Sequence, residues 1–191
     1  TVPAGRIAEA YRCGQRAFGE NYVQEALAKM DALRDLPLEW HYIGPIQSNK
    51  TRAIAERFHW VHSIDRVKIA QRLAAARPAG MPPLDVCIQL NVSGEASKGG
   101  VAPGEELELA RAIALLPQLR LRGLMAIPEP TDDDRLQRER YASVRCARDA
   151  LAAAGYALDT LSMGMSDDLE AAIAEGATMV RVGTAIFGAR K

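Results

Sequence analysis

Short apolar runs rich in β-branched or aromatic residues alternate along this chain with longer segments of helical period, and that alternation constrains the fold more than any other feature. It predicts strands over Arg16–Asn21, Glu39–Gly44, Trp60–Ile64, Leu84–Val92, Leu121–Ile127, Thr160–Gly164 and Thr178–Gly183. Helices are expected over Gly5–Cys13, Tyr22–Leu33, Asn49–Arg57, Arg66–Arg77, Glu105–Leu115, Asp132–Ala154 and Asp167–Ala174. Asp65 and Ser166 read as N-caps, Pro103-Gly104-Glu105-Glu106 as an acidic first turn, and Thr131 through Asp134 as a capping box. Gly14, Gly155 and Gly176 stand where helices should stop.

Repeated strand–helix units imply a parallel sheet covered by helices, either open and doubly wound or closed into a barrel. Seven strands are visible, and a helix comes before the first of them. In a strictly alternating chain a leading helix implies a strand in front of it, which would bring the count to eight. At 191 residues the chain is also slightly short for a complete barrel, which usually needs about 200 or more. The expected fold is therefore α/β, a (β/α)8 TIM barrel. Residues 1–191 would form a single domain carrying strands 2 to 8, with the first helix and first strand upstream of Thr1.

Composition excludes other classes. Twenty-four basic and 24 acidic side chains cancel, which argues against a nucleic-acid partner. No apolar run approaches the roughly 20 residues of a membrane helix, so no membrane association is expected. Three widely spaced cysteines without a CxxC pair fit a reducing, cytoplasmic setting. No long apolar stripe calls for a dimer, and a monomer is expected.

Barrel chemistry gathers where strands end and the following loops begin. Here those positions are rich in Asn, Ser, Thr and Gly and poor in paired carboxylates, which suits binding of a polar ligand better than hydrolysis. Gly183-Thr184 leaves the last strand without a side chain at 183, so a phosphate could approach the backbone; the alternative is a tight strand exit. Ser166 is either a helix cap or a phosphate ligand, and Ser162 points into the barrel mouth or outwards. Arg181, flanked by valines, is expected inside the barrel top, where it needs an acceptor: Glu20, Asp65 or a ligand atom. His41, His59 and His62 lack metal spacing and read as core or rim residues. Of five lysines, Lys29 and Lys68 read as solvated helix residues and Lys191 is terminal. Lys50 and Lys98 lie in loops on the functional face and are the only internal candidates for a Schiff base.

The segments Phe18–Glu25, His41–Lys50, Leu124–Pro128, Leu161–Asp168 and Met179–Gly188, in this order, resemble the pyridoxal phosphate homeostasis protein family, also called YggS/PROSC-like. The resemblance runs the length of the chain. It implies a barrel related to the N-terminal domain of alanine racemase, PLP fold type III, with pyridoxal 5′-phosphate (PLP) held as a lysine Schiff base. It further implies buffering and delivery of PLP to apo PLP-dependent enzymes, without catalytic turnover. The alternative of the same cofactor class is a single-domain amino-acid racemase. By the same resemblance Arg181 faces the pyridine nitrogen, Gly183 and Thr184 hold the phosphate with Ser162 and Ser166, and Asn21 sits near the ring. The Schiff-base lysine is expected immediately before Thr1, and Lys98 is a candidate secondary amine for PLP transfer.

Overall fold

The computed structural model describes residues 2–94 and 99–188. Its elements alternate as expected: α1 (Ala4–Arg12), β1 (Ala17–Glu20), α2 (Val23–Ala32), β2 (Glu39–Tyr42), a 3-10 turn (Ser48–Lys50) leading into α3 (Thr51–Arg57), and β3 (Trp60–Ile64). Then follow α4 (Val67–Ala76), β4 (Leu84–Leu90), α5 (Glu106–Ala114), β5 (Leu119–Ala126), α6 (Asp134–Ala153), β6 (Thr160–Ser162), α7 (Leu169–Ala174) and α8 (Thr184–Phe187). The six strands are parallel and lie side by side in sequence order.

The sheet is strongly curled. In a flat sheet β3 and β6 would stand three strand spacings apart, about 14 Å. Yet His62 Nδ1 on β3 lies 2.7 Å from Ser162 Oγ on β6. The six strands therefore form a half-barrel with both side chains on its concave face. Trp60, Cys87 and Met125 pack together as a small buried cluster. The main core joins strand residues such as Val61, Val86, Ile88, Leu124 and Leu161 to helix residues such as Ile54, Ile69, Leu73, Ile113 and Val144. Where β4 begins, Asp85 accepts hydrogen bonds from Arg120 and Arg122. Arg122 also pairs with Asp159 and lies 4.7 Å over the Trp60 ring.

The capping box expected over Thr131–Asp134 is replaced by a cap from Asp133, whose Oδ1 accepts from the amides of Arg135 and Leu136. The expected glycine stops hold. Gly14, Gly155 and Gly176 adopt φ of 103°, 94° and 91° just past their helices, a region that suits glycine. Others need correction. Asp65 does not cap α4; its carboxylate holds the Arg66 guanidinium at 2.7 Å. Ser166 is no cap either, because α7 begins only at Leu169, after Asp168.

The expected strand over Thr178–Gly183 is reduced to a single parallel bridge, Ser162 to Met179. The segment does run beside β6, with Met163 N–H donating to Met179 O and Arg181 N–H to Gly164 O. The ladder stops because Gly164, at φ 93°, turns the neighbouring backbone away. A Cβ at 164 would meet that of Ala172 at 2.6 Å, so the turn cannot be rebuilt with another residue.

Lys29 is also unlike its expected solvated state. It is 8% exposed, and its Nζ donates to Glu20 Oε1 at 2.6 Å at the end of β1. Burial raises the Glu20 pKa, and Lys29 opposes that shift. Truncating one member of a buried pair strands the other. Lys29→Ala should therefore cost about 3–5 kcal/mol in urea unfolding, and the Glu20→Leu/Lys29→Met double variant should recover most of it.

Candidate functional site

The strand ends meet around Arg181. Its backbone amide is pinned to Gly164 O at 2.9 Å. Its Nη1 donates to Ser162 Oγ at 2.7 Å and its Nη2 to Ala126 O, at the end of β5, at 2.9 Å. Both acceptors are neutral. The carboxylates expected as acceptors, Glu20 and Asp65, are engaged instead by Lys29 and Arg66. Burial lowers the Arg181 pKa, with Tyr141, Asp168 and Cys87 opposing. A guanidinium has five N–H donors. Those left over find no acceptor among the described residues, and the side chain remains partly exposed.

Ser162 is fully buried and points into the concave face, which answers the question of its direction. It joins a line of hydrogen bonds that the residue pattern did not reveal. Ser162 Oγ meets His62 Nδ1 at 2.7 Å, His62 Nε2 meets His41 Nδ1 at 2.9 Å, and His41 Nε2 meets Glu39 Oε1 at 2.8 Å. His41 also stacks on Trp60, with ring centroids 5.4 Å apart. The core assignment of His41 and His62 is correct. The ladder placing them on β2 and β3 is also what brings them together.

Beside Arg181, the Gly164–Ser166 turn is braced from α6. Tyr141 O–H donates to Asp168 Oδ2 at 2.6 Å, and Met165 N–H donates to Asp168 Oδ1 at 2.6 Å. Both oxygens of Asp168 are thus engaged, one by Tyr141 and one by the turn itself. Ser166 Oγ instead accepts from the Ala185 amide at 3.4 Å, at the start of α8. Gly183 is exposed, and a Cβ there would meet nothing within 4 Å. Ser166, Gly183 and Thr184 thus line one open edge beside Arg181.

Asn21 follows β1, and Gly44 is packed against its backbone: a Cβ at 44 would stand 2.2 Å from Asn21 O. Ser63 Oγ ties down the other side of this contact by donating to Gly44 O. The Asn21 side chain makes no hydrogen bond to the other site residues among those described. Lys50 lies in the 3-10 turn after β2. Lys98, Thr1 and Lys191 lie outside the described residues. Among the described residues no cluster of metal-binding side chains occurs, and no helix is long and apolar enough to cross a membrane.

Burial lowers the pKa of His41 below 6.5 and that of His62 well below it; His41 and Arg181 add to the shift at His62. Between those folded values and 6.5 the unfolded chain binds more protons than the folded one. Stability contributed by the neutral pair is then complete above about pH 6.5 and lost as pH falls through the folded values. Urea midpoints measured from pH 7.5 down to 5.5 should fall below about pH 6.5 in the wild type.

Known proteins resemble this chain along its whole length. The family described as alanine racemase, N-terminal domain, matches residues 2–191. A pyridoxal phosphate homeostasis protein of Pseudomonas aeruginosa is 64% identical over 190 residues, covering 100% of this chain and 81% of the relative. One from Escherichia coli K12 is 56% identical over 193 residues, covering 100% and 82%. The structure of PipY from Synechococcus elongatus PCC7942 with PLP bound superposes with a TM-score of 0.89 at 39% identity, covering 97% of this chain and 88% of PipY. The chain belongs to the pyridoxal phosphate homeostasis proteins within the alanine racemase N-terminal-domain family.

Proposed function

We propose that this protein binds PLP at the concave face of the half-barrel and buffers it for delivery to apo-enzymes, without turning over a substrate of its own. The observation that carries this reading is Arg181, a half-buried cation whose protein partners are two neutral oxygens and whose remaining N–H donors are free among the described residues. Such a group suits an uncharged ring nitrogen. The open edge of Ser166, Gly183 and Thr184 suits a phosphate, whose oxygens accept from small hydroxyls and backbone amides. The PLP-bound PipY structure and the names of the relatives support the same ligand.

PLP supplies an aldehyde that a lysine amine holds as a Schiff base, and the lysine proposed for this role immediately precedes Thr1. An upstream helix and strand would complete an eight-strand TIM barrel of PLP fold type III, as one domain. The chain's own residues then have separate tasks. Arg181, held by Ser162 and Ala126, donates to the pyridine nitrogen and keeps it from taking up a proton, which weakens the ring as an electron sink. Gly183, Thr184 and Ser166 bind the phosphate and Asn21 flanks the ring; Ser162, expected beside them as a phosphate ligand, is fully buried against His62 and Arg181 and contributes through Arg181 instead. Lys98 is retained as a secondary amine for transfer.

The test uses the protein carrying the proposed upstream helix, strand and lysine. Its visible absorbance is recorded before and after borohydride, and the reduced adduct is located by mass spectrometry. A yellow protein with the label on the lysine before Thr1 is expected; a colourless protein that takes up no added PLP would overturn the reading. Arg181→Leu and Thr184→Val should each weaken PLP binding about tenfold or more, the loss expected for a charge-assisted hydrogen bond. PLP-dependent exchange of the alanine α-proton with deuterium in the wild type would instead identify a racemase.

A further inference from the structure

The line from Arg181 to Glu39 has a defined direction. Arginine can only donate, so Ser162 Oγ accepts from Arg181 Nη1. Ser162 is fully buried, and its single hydroxyl proton has one acceptor among the described residues, His62 Nδ1. With Nδ1 accepting, a neutral His62 carries its proton on Nε2 and donates it to His41 Nδ1. His41 then carries its proton on Nε2 and donates to the Glu39 carboxylate. Donors and acceptors match along the line, and its two ends, a guanidinium and a carboxylate, impose the same direction.

The two ends lie at opposite ends of the sheet. Glu39 opens β2, at the N-terminal edge of the strands, and its side chain is 49% exposed. Arg181 lies beyond the C-terminal end of β6. His41, His62 and Ser162 between them are each no more than 3% exposed. No water-filled route is needed to link the two edges.

We propose that Glu39, His41 and His62 are positioning residues for Arg181, holding Ser162 as its acceptor and so making the orientation of the guanidinium depend on a carboxylate at the far end of the sheet. This rests on the reading of Arg181 as the group facing the PLP ring. Other charged or titratable groups acting on the line are His59 and Asp85 at His41, and Tyr141, Asp168 and Cys87 at Arg181. None of them lies in it. A proton added at His62 Nδ1 would point at Ser162 Oγ. The hydroxyl proton would then lose its acceptor inside a closed space, and His62 would carry a positive charge facing Arg181.

The first measurement requires neither a variant nor PLP. Nitrogen-15 spectra of the histidines in the PLP-free full-length protein at pH 7 should show His41 and His62 as neutral Nε2–H tautomers. An Nδ1–H tautomer or a cationic ring at His62 would overturn the proposal. The guanidinium signals of Arg181 in the same sample should shift in His62→Leu and in the partly exposed Glu39→Leu. They should return towards wild type in His62→Asn, whose amide oxygen replaces Nδ1 as acceptor, and in Glu39→Gln. In PLP-loaded protein, His62→Leu should move the absorbance band and weaken binding about tenfold, the equivalent of one hydrogen bond to a charged group. Glu39→Leu should move the band in the same direction while its thermal midpoint stays near wild type. Unchanged Arg181 signals in a folded Glu39→Leu protein would sink the relay even if PLP binds as proposed. A protein that takes up no PLP but keeps the coupled signals would sink only the cofactor reading.

Discussion

The hydrogen bond between His62 and Ser162 is the contact on which the site depends. It joins strands separated by two others, so it can exist only if the sheet is curled, and it is made on the face that the curl encloses. A polar contact there is costly to lose, because a buried hydroxyl or imidazole without its partner pays the full loss of its hydration. The same bond orients Ser162 towards Arg181. Curvature of the half-barrel makes this bond possible, and the bond in turn fixes the acceptor of the principal cation.

The concave face is layered by chemistry. At its N-terminal end Asp85 gathers Arg120 and Arg122, and Arg122 spreads over Trp60. Next come Trp60, Cys87 and Met125, and the thiol pKa of Cys87 is pushed far up by burial, which leaves it an inert packing group. The histidines and Ser162 occupy polar positions within this apolar interior, and Arg181 stands at the opening. Binding elements sit where the strands end, while the groups that steady them reach back through the interior. Tyr141 and Asp168 do comparable work from outside, holding the Gly164–Ser166 turn beside which Arg181 is pinned.

The six strands and most helix ends follow from local rules: period-2 and period-3.6 apolar spacing and the glycine stops. Local propensity loses where a distant partner overrides it. Lys29 occupies a helix position that reads as solvated, yet Glu20 on the preceding strand draws it inside. Ser166 precedes two aspartates in a convincing cap pattern, but Asp168 turns inward to Tyr141 and Met165, and the helix starts later. The stretch from Thr178 has strand composition, but Gly164 ends the ladder it could have joined.

What the sequence determined by itself was the α/β class, the set of strand-end residues from which a polar site could be built, and the family resemblance carried by its motifs. Those depend on neighbours within a few positions, or on residue order alone. Which residues touch was decided only by the tertiary structure. His41, His62, Ser162 and Arg181 span 140 positions of chain and carry no periodic signal relating them. Parallel pairing sets His41 beside β3, and the curl of the sheet then carries β6 across to meet His62. A hydrogen bond of that kind depends on the sum of many strand rotations, a quantity that no local stretch of sequence contains.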